Sequence, residues 1–128
     1  MRHLPMLALL IAGAIHLLPL SGVTGAAALE RLYGVAVDSP DLALLLRHRA
    51  VLFGLLGGFL VVAAFRPAWH RAGLLAGLAS VLAFLLLAWL EPGWGEAIRR
   101  VVIADLVALV ALLGGCLAIA LRTRPNGP

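Results

Sequence analysis

Apolar and polar positions alternate along this chain in long blocks: four apolar runs separated by short polar links. The first run extends from Leu4 to about Ala28 and is interrupted by His16 and Pro19. The second, Ala50 to Phe65, is preceded by a mixed stretch from Asp41 to Arg49. The third is Ala72 to Leu90, and the fourth, Val101 to Leu121, carries Asp105. A membrane-spanning helix needs about 20 apolar residues at about 1.5 Å each. The third and fourth runs meet that requirement alone. The second is short, so its helix starts earlier, at Ser39-Pro40-Asp41: a capping serine, a proline in the first turn and an early acid. The pattern therefore predicts helices at about 4–25, 40–65, 72–90 and 97–121. The links Arg66 to Arg71 and Glu91 to Glu96 are short, which makes successive helices antiparallel neighbours. The expected fold is all-α, an integral membrane four-helix antiparallel bundle spanning residues 1–128 as one domain. Leu29 to Val37 reads as an interfacial turn or short helix, and the tail from Arg122 to Pro128 as a frayed polar end.

Composition strengthens the membrane reading. Of 128 residues, 63% are hydrophobic and 12% charged, against roughly half and a quarter in soluble domains. A soluble domain of this size has too little interior to hide so much apolar side chain. The net charge is +4 and every cationic side chain other than histidine is arginine. These arginines sit at the ends of apolar runs, so lipid headgroups are the expected partner and nucleic acid is not. The single cysteine, Cys116, allows neither an internal disulfide nor a cysteine metal cluster.

Arginine counts bear on orientation. One side holds both termini with Arg2, Arg66, Arg71, Arg122 and Arg124. The other holds Arg31, Arg47, Arg49, Arg99 and Arg100, together with Glu30, Asp38, Asp41, Glu91 and Glu96. The raw count ties, but four arginines of the second group belong to helices and a polar cluster. Both termini are therefore expected on the cytoplasmic side of a bacterial inner membrane. Trp69 at one end, and Tyr33, Trp89 and Trp94 at the other, fit aromatic belts. A rival reading takes the first run, ending in Ala26-Ala27-Ala28, as a cleaved secretory signal; its length and His16 argue against that.

Candidate chemistry concentrates at one end. A charge inside a membrane helix costs about 2.5 kcal/mol or more, so it has a partner or a task. Asp105 lies about 12 Å along its helix. Arg99 and Arg100 are on other faces of that helix, whereas Arg47 and Arg49 enter at similar depth on the second helix. An ion pair from Asp105 to one of them is expected. His16, Arg47, His48, Arg49, Arg99, Arg100 and Asp105 can thus share a ligand or ion pocket, capped by Glu30 and Tyr33. The alternative is structural: the arginines snorkel to headgroups, Asp105 fixes helix order through a salt bridge, and His16 bonds a neighbouring carbonyl. Gly54 with Gly58, and Gly73 with Gly77, have the four-residue spacing of close helix packing, within the bundle or between subunits. No phosphate-binding glycine loop, nucleophile elbow or metalloprotease pattern is present. His16 and His48 are the one pair suited to a haem, but nothing else supports it, and no cofactor or metal is expected.

The segments Leu32-Tyr33-Gly34-Val35, Leu44 to Gly57 and Arg99-Arg100-Val-Val-Ile-Ala-Asp105 resemble a family of uncharacterised bacterial four-helix membrane proteins. The likeness covers most of the chain, and the family is loosely similar to the DoxX-like group in size and helix count. Similar sequences are often labelled phosphopantetheine adenylyltransferase. That soluble nucleotidyltransferase uses a His-x-Gly-His phosphate motif, which this chain lacks. The resemblance implies a fold and supplies no chemistry. The expected function is non-enzymatic: a scaffold, an accessory subunit of a membrane assembly or homo-oligomer, or a small-ligand binder. A transporter or channel component for an anion or protons, and a quinone- or lipid-handling redox accessory, are the alternatives.

Overall fold

A computed structural model describes residues 3–123. Arg2, Arg124 and the rest of the polar tail, which enter the arginine count above, lie outside the described residues. All regular structure among the described residues is helical: α1 (Leu4–Leu17), α2 (Ala26–Tyr33), α3 (Pro40–Ala64), α4 (His70–Leu90) and α5 (Glu96–Thr123). Short 3-10 segments, Leu18–Thr24 and Pro67–Trp69, follow α1 and precede α4. Four stretches are long and apolar enough to cross a membrane: Leu4–Thr24, Pro40–Ala64, Pro67–Leu90 and Glu96–Arg122.

The first run is therefore not one continuous α-helix over 4–25. Pro19 has no N–H to give to the carbonyl of Ile15, and its ring crowds that turn. The chain tightens instead: the Leu18 N–H takes the Ile15 carbonyl, and the 3-10 segment continues to Thr24. Ser39 caps α3 as its sequence implies, its Oγ accepting from Leu42 N at 3.1 Å. The Leu29–Val37 stretch resolves into the end of α2 and a loop. Gly34 ends α2 in the left-handed region (φ 65°), where an L side chain is strained, and an added Cβ would lie 3.2 Å from Ala97 Cβ on α5.

The helix order in space is set by α1. It packs on α3, α4 and α5, whereas among the described residues the backbones of α3 and α5 do not contact each other. Pro5, Ala8, Leu9, Ala12, Gly13 and His16 form its buried stripe. Small residues let its backbone approach α3: a Cβ on Gly57 would sit 2.8 Å from Leu17 Cγ and 3.0 Å from the Gly13 carbonyl oxygen. Ala8, Leu9, Leu60, Ala63, Leu74 and Leu112 close one end of the interior. The outer faces are apolar and uncovered, with Leu44, Leu55, Leu75 and Val110 each about two-thirds exposed or more.

Candidate functional site

Among the described residues, His16 and Asp105 are buried ionisable side chains of the interior, 1% and 4% exposed. α1 carries His16 at its last turn, where its Nδ1 lies 2.8 Å from the Ala12 carbonyl oxygen. A carbonyl only accepts, so Nδ1 donates; in the neutral ring Nε2 then accepts from Ser80 Oγ on α4, 3.1 Å away. The imidazole stacks on Phe53 of α3, with centroids 5.4 Å apart and planes inclined by 19°. Both ring nitrogens are thus engaged, and His48 is exposed, so the two histidines do not form a haem site.

Arg49 continues this stack. Its guanidinium carbon lies 5.1 Å from the Tyr33 ring centre, 5.0 Å from Phe53 and 5.8 Å from Phe84. Three ring faces around one cation satisfy the geometry of cation–π attraction. The expected ion pair between Asp105 and Arg47 or Arg49 does not form. Asp105 is within electrostatic reach of His16 and Arg49, but the salt bridge found among the described residues joins Arg99 to Glu96 at 2.7 Å, both exposed. Depth along two helices fixes only an axial coordinate; the aromatic cage takes the Arg49 side chain to one side. Arg47 is held elsewhere too, its Nε donating to the Val23 carbonyl at 3.1 Å, which ties α3 to the 3-10 segment.

Two cavities flank this stack, and Phe53 lines both. The first, about 450 Å³, has apolar walls from Ile15, Leu18, Leu32 and Val101, with Tyr33 and Asp105 inside and Arg31 and Arg100 contributing cationic groups. The second, about 510 Å³, lies between α3, α4 and the start of α5, and Arg49, Ser80, Phe84, Glu91, Trp94 and Ile98 contribute to its lining. Among the described residues, the buried Tyr33 hydroxyl has no hydrogen-bond partner. Buried hydroxyls are ordinarily satisfied, because desolvation costs about 1–3 kcal/mol.

The proposed residue set is therefore divided rather than gathered. Asp105, Tyr33 and Arg100 share one cavity and Arg49 lines the other, with His16 behind them. His48 and Arg99 are exposed and line neither. Glu30 does not cap a pocket; its Oε1 accepts from Val37 N at 3.1 Å and braces the loop after α2. Among the glycines, Gly54, Gly73 and Gly77 face side chains closely, against Leu20, Leu9 and Leu112 respectively, whereas Gly58 faces open space. Phe53, Ser80, Phe84 and Trp94 were not anticipated as site residues. The spacing held a signal: Arg49 with Phe53, and Ser80 with Phe84, are four apart and share helix faces.

Comparison with protein-family models, curated proteins and solved structures returned no match.

Proposed function

We propose that this chain is a small, non-enzymatic integral membrane protein that binds a hydroxyl-bearing apolar molecule in the cavity beside Asp105. Lipid is the solvent that suits its outer faces: a soluble protein does not leave so many large apolar side chains uncovered. Contacts of Gly73 with Ala63 and of Phe84 with Arg49 run in opposite senses along α3 and α4, while Gly73 with Leu9 and Ser80 with His16 run in the same sense along α4 and α1, which supports an up-and-down order with antiparallel sequential helices. The arginine distribution supports termini on the cytoplasmic side of a bacterial inner membrane, and the motif resemblance supports membership of the four-helix family it points to.

The single observation that carries the ligand reading is that Tyr33, whose hydroxyl is buried without a hydrogen-bond partner among the described residues, is one of the residues lining the cavity that holds Asp105, so that a small shift of its ring would offer the O–H to a ligand there. A ligand hydroxyl can accept from the Tyr33 O–H and donate to the Asp105 carboxyl oxygen, while its apolar body fills the remaining walls. A binder is favoured over a channel because the opposite end of the interior is closed by Ala8, Leu9, Leu60, Leu74 and Leu112. A polar pathway would have to cross that plug. The half-buried Gly58, where an added Cβ would meet nothing within 4 Å among the described residues, offers a face to a second copy or another membrane protein.

The test is detergent extraction followed by native mass spectrometry, with an alkylphenol titrated onto the purified protein. The wild type should hold it, and Tyr33→Phe and Asp105→Asn should each weaken binding by about tenfold. Tyr33→Phe should leave thermal stability unchanged or raise it by up to about 1 kcal/mol, since it removes a buried group without a partner. Unaltered binding in both variants would sink the reading.

A further inference from the structure

Arg49 presents a second problem that the first cavity does not solve. A guanidinium has five N–H donors and no way to become neutral in a protein. Among the described residues, ring faces surround Arg49; Asp105 is within electrostatic reach, but Arg49 makes neither an ion pair nor a hydrogen bond. Aromatic faces attract its charge but accept few of its hydrogen bonds. The cation is half-buried and lines the cavity between α3, α4 and α5. We propose that this cavity is a separate site for a singly charged anionic amphiphile, whose carboxylate or phosphodiester head is held by Arg49 and whose chain follows Phe84, Leu87 and Ile98.

Each part of the site answers to one feature of that ligand. Arg49 supplies planar, paired donors suited to two oxygens of one oxyanion. Ser80 also lines the cavity, and its hydroxyl proton is directed to His16 when that ring is neutral, so the hydroxyl does not donate to the head. The charge of the head therefore rests on Arg49. Leu87, Ala88 and Ile98 provide apolar wall. Trp94 folds back over the end of α4, its Nε1 donating to the Ala88 carbonyl at 3.0 Å, and so forms part of the lining. Glu91 contributes the one carboxylate to this lining and is itself exposed. Its charge opposes a head with two net negative charges, which selects fatty-acid carboxylates and phosphodiesters over phosphate monoesters. This site rests on Arg49 and does not depend on the Tyr33 reading.

Trp94 makes the site observable. In the full chain carrying Trp69→Phe and Trp89→Phe, Trp94 is the remaining tryptophan. Its fluorescence is followed in detergent while brominated stearate, phosphatidylglycerol, phosphatidylcholine or phosphatidic acid is added. Brominated stearate and phosphatidylglycerol should quench at concentrations about tenfold below the zwitterionic and dianionic lipids. Arg49→Gln should remove that preference, Arg49→Lys should keep part of it, and Arg99→Gln, at an exposed ion pair, should leave it intact. Preference for stearate alone assigns the head as a carboxylate, and preference for both admits a phosphodiester. Ala88→Phe, which fills the cavity and keeps Arg49, should abolish quenching preference as well, and covers the case in which Arg49→Gln fails to fold. Equal quenching by phosphatidylcholine, or a preference that survives Arg49→Gln or Ala88→Phe in a folded protein, would overturn the proposal.

Discussion

Around Gly13 and Gly57 the backbones of α1 and α3 approach closely, with the Leu17 and Val61 side chains packed against the two glycines, while further along, around His16, Phe53 and Arg49, bulky rings hold the same helices. The first region continues through Leu9, Ala63, Gly73 and Leu112 into a closed core. The second continues through Tyr33 and Phe84 and borders two cavities. Small residues allow helices to approach until carbonyls and methyl groups touch, and leave no space. Rings are rigid and cannot fill every gap left by neighbours of different shape, so space remains beside them. The contrast separates a part of the molecule that sets helix positions from a part with room for a ligand.

The largest expected effect tests the close-packed end. Gly57→Val should destabilise the protein by about 3 kcal/mol in mixed-micelle unfolding, because its Cβ would meet the Gly13 carbonyl and the Leu17 side chain, and neither backbone can retreat cheaply. A small effect would mean that α1 and α3 can slide apart and that the crossing is not fixed by these glycines. Next comes the junction between the two regions. His16→Leu should cost about 1–2 kcal/mol, since it removes the link between α1 and α4 and leaves Ser80 Oγ without its ring partner. If the loss is negligible, the polar end contributes nothing to helix order. The smallest effect sharpens the comparison from outside. Gly58→Ala should change monomer stability by less than about 0.5 kcal/mol, because nothing among the described residues lies within 4 Å of the new methyl group. Loss of a self-associated species by light scattering in Gly58→Ala would instead assign that face to an interface between copies.

Much of the plan is legible from hydrophobic runs and end signals. The long apolar helices follow from run length, and the start of α3 from Ser39-Pro40, because capping and proline geometry are local. Pro19 carried its signal as well: a proline well inside an apolar run ends regular α-helix just before it. The glycine spacing was less decisive. Gly54 and Gly58 share the familiar interval, yet it is Gly57, with Gly13, that makes the backbone crossing. Spacing names a possible face without saying which neighbour it meets.

The sequence by itself determined that the chain forms long apolar helices and that its acidic residues gather toward one end while its arginines divide between both, since length, hydropathy and capping act within each segment. Only the tertiary structure decided that α1, the run open to a cleaved-signal reading, lies at the centre between α3 and α5. Removal of residues up to Ala28 would take out Leu9, Ala12 and His16 from the interior. It also decided that Arg49 sits among three rings rather than on Asp105. The physical reason is rotational: sequence position sets how far along a helix a residue lies, but the angle around the axis, and hence the partner, is set by how all the helices pack at once.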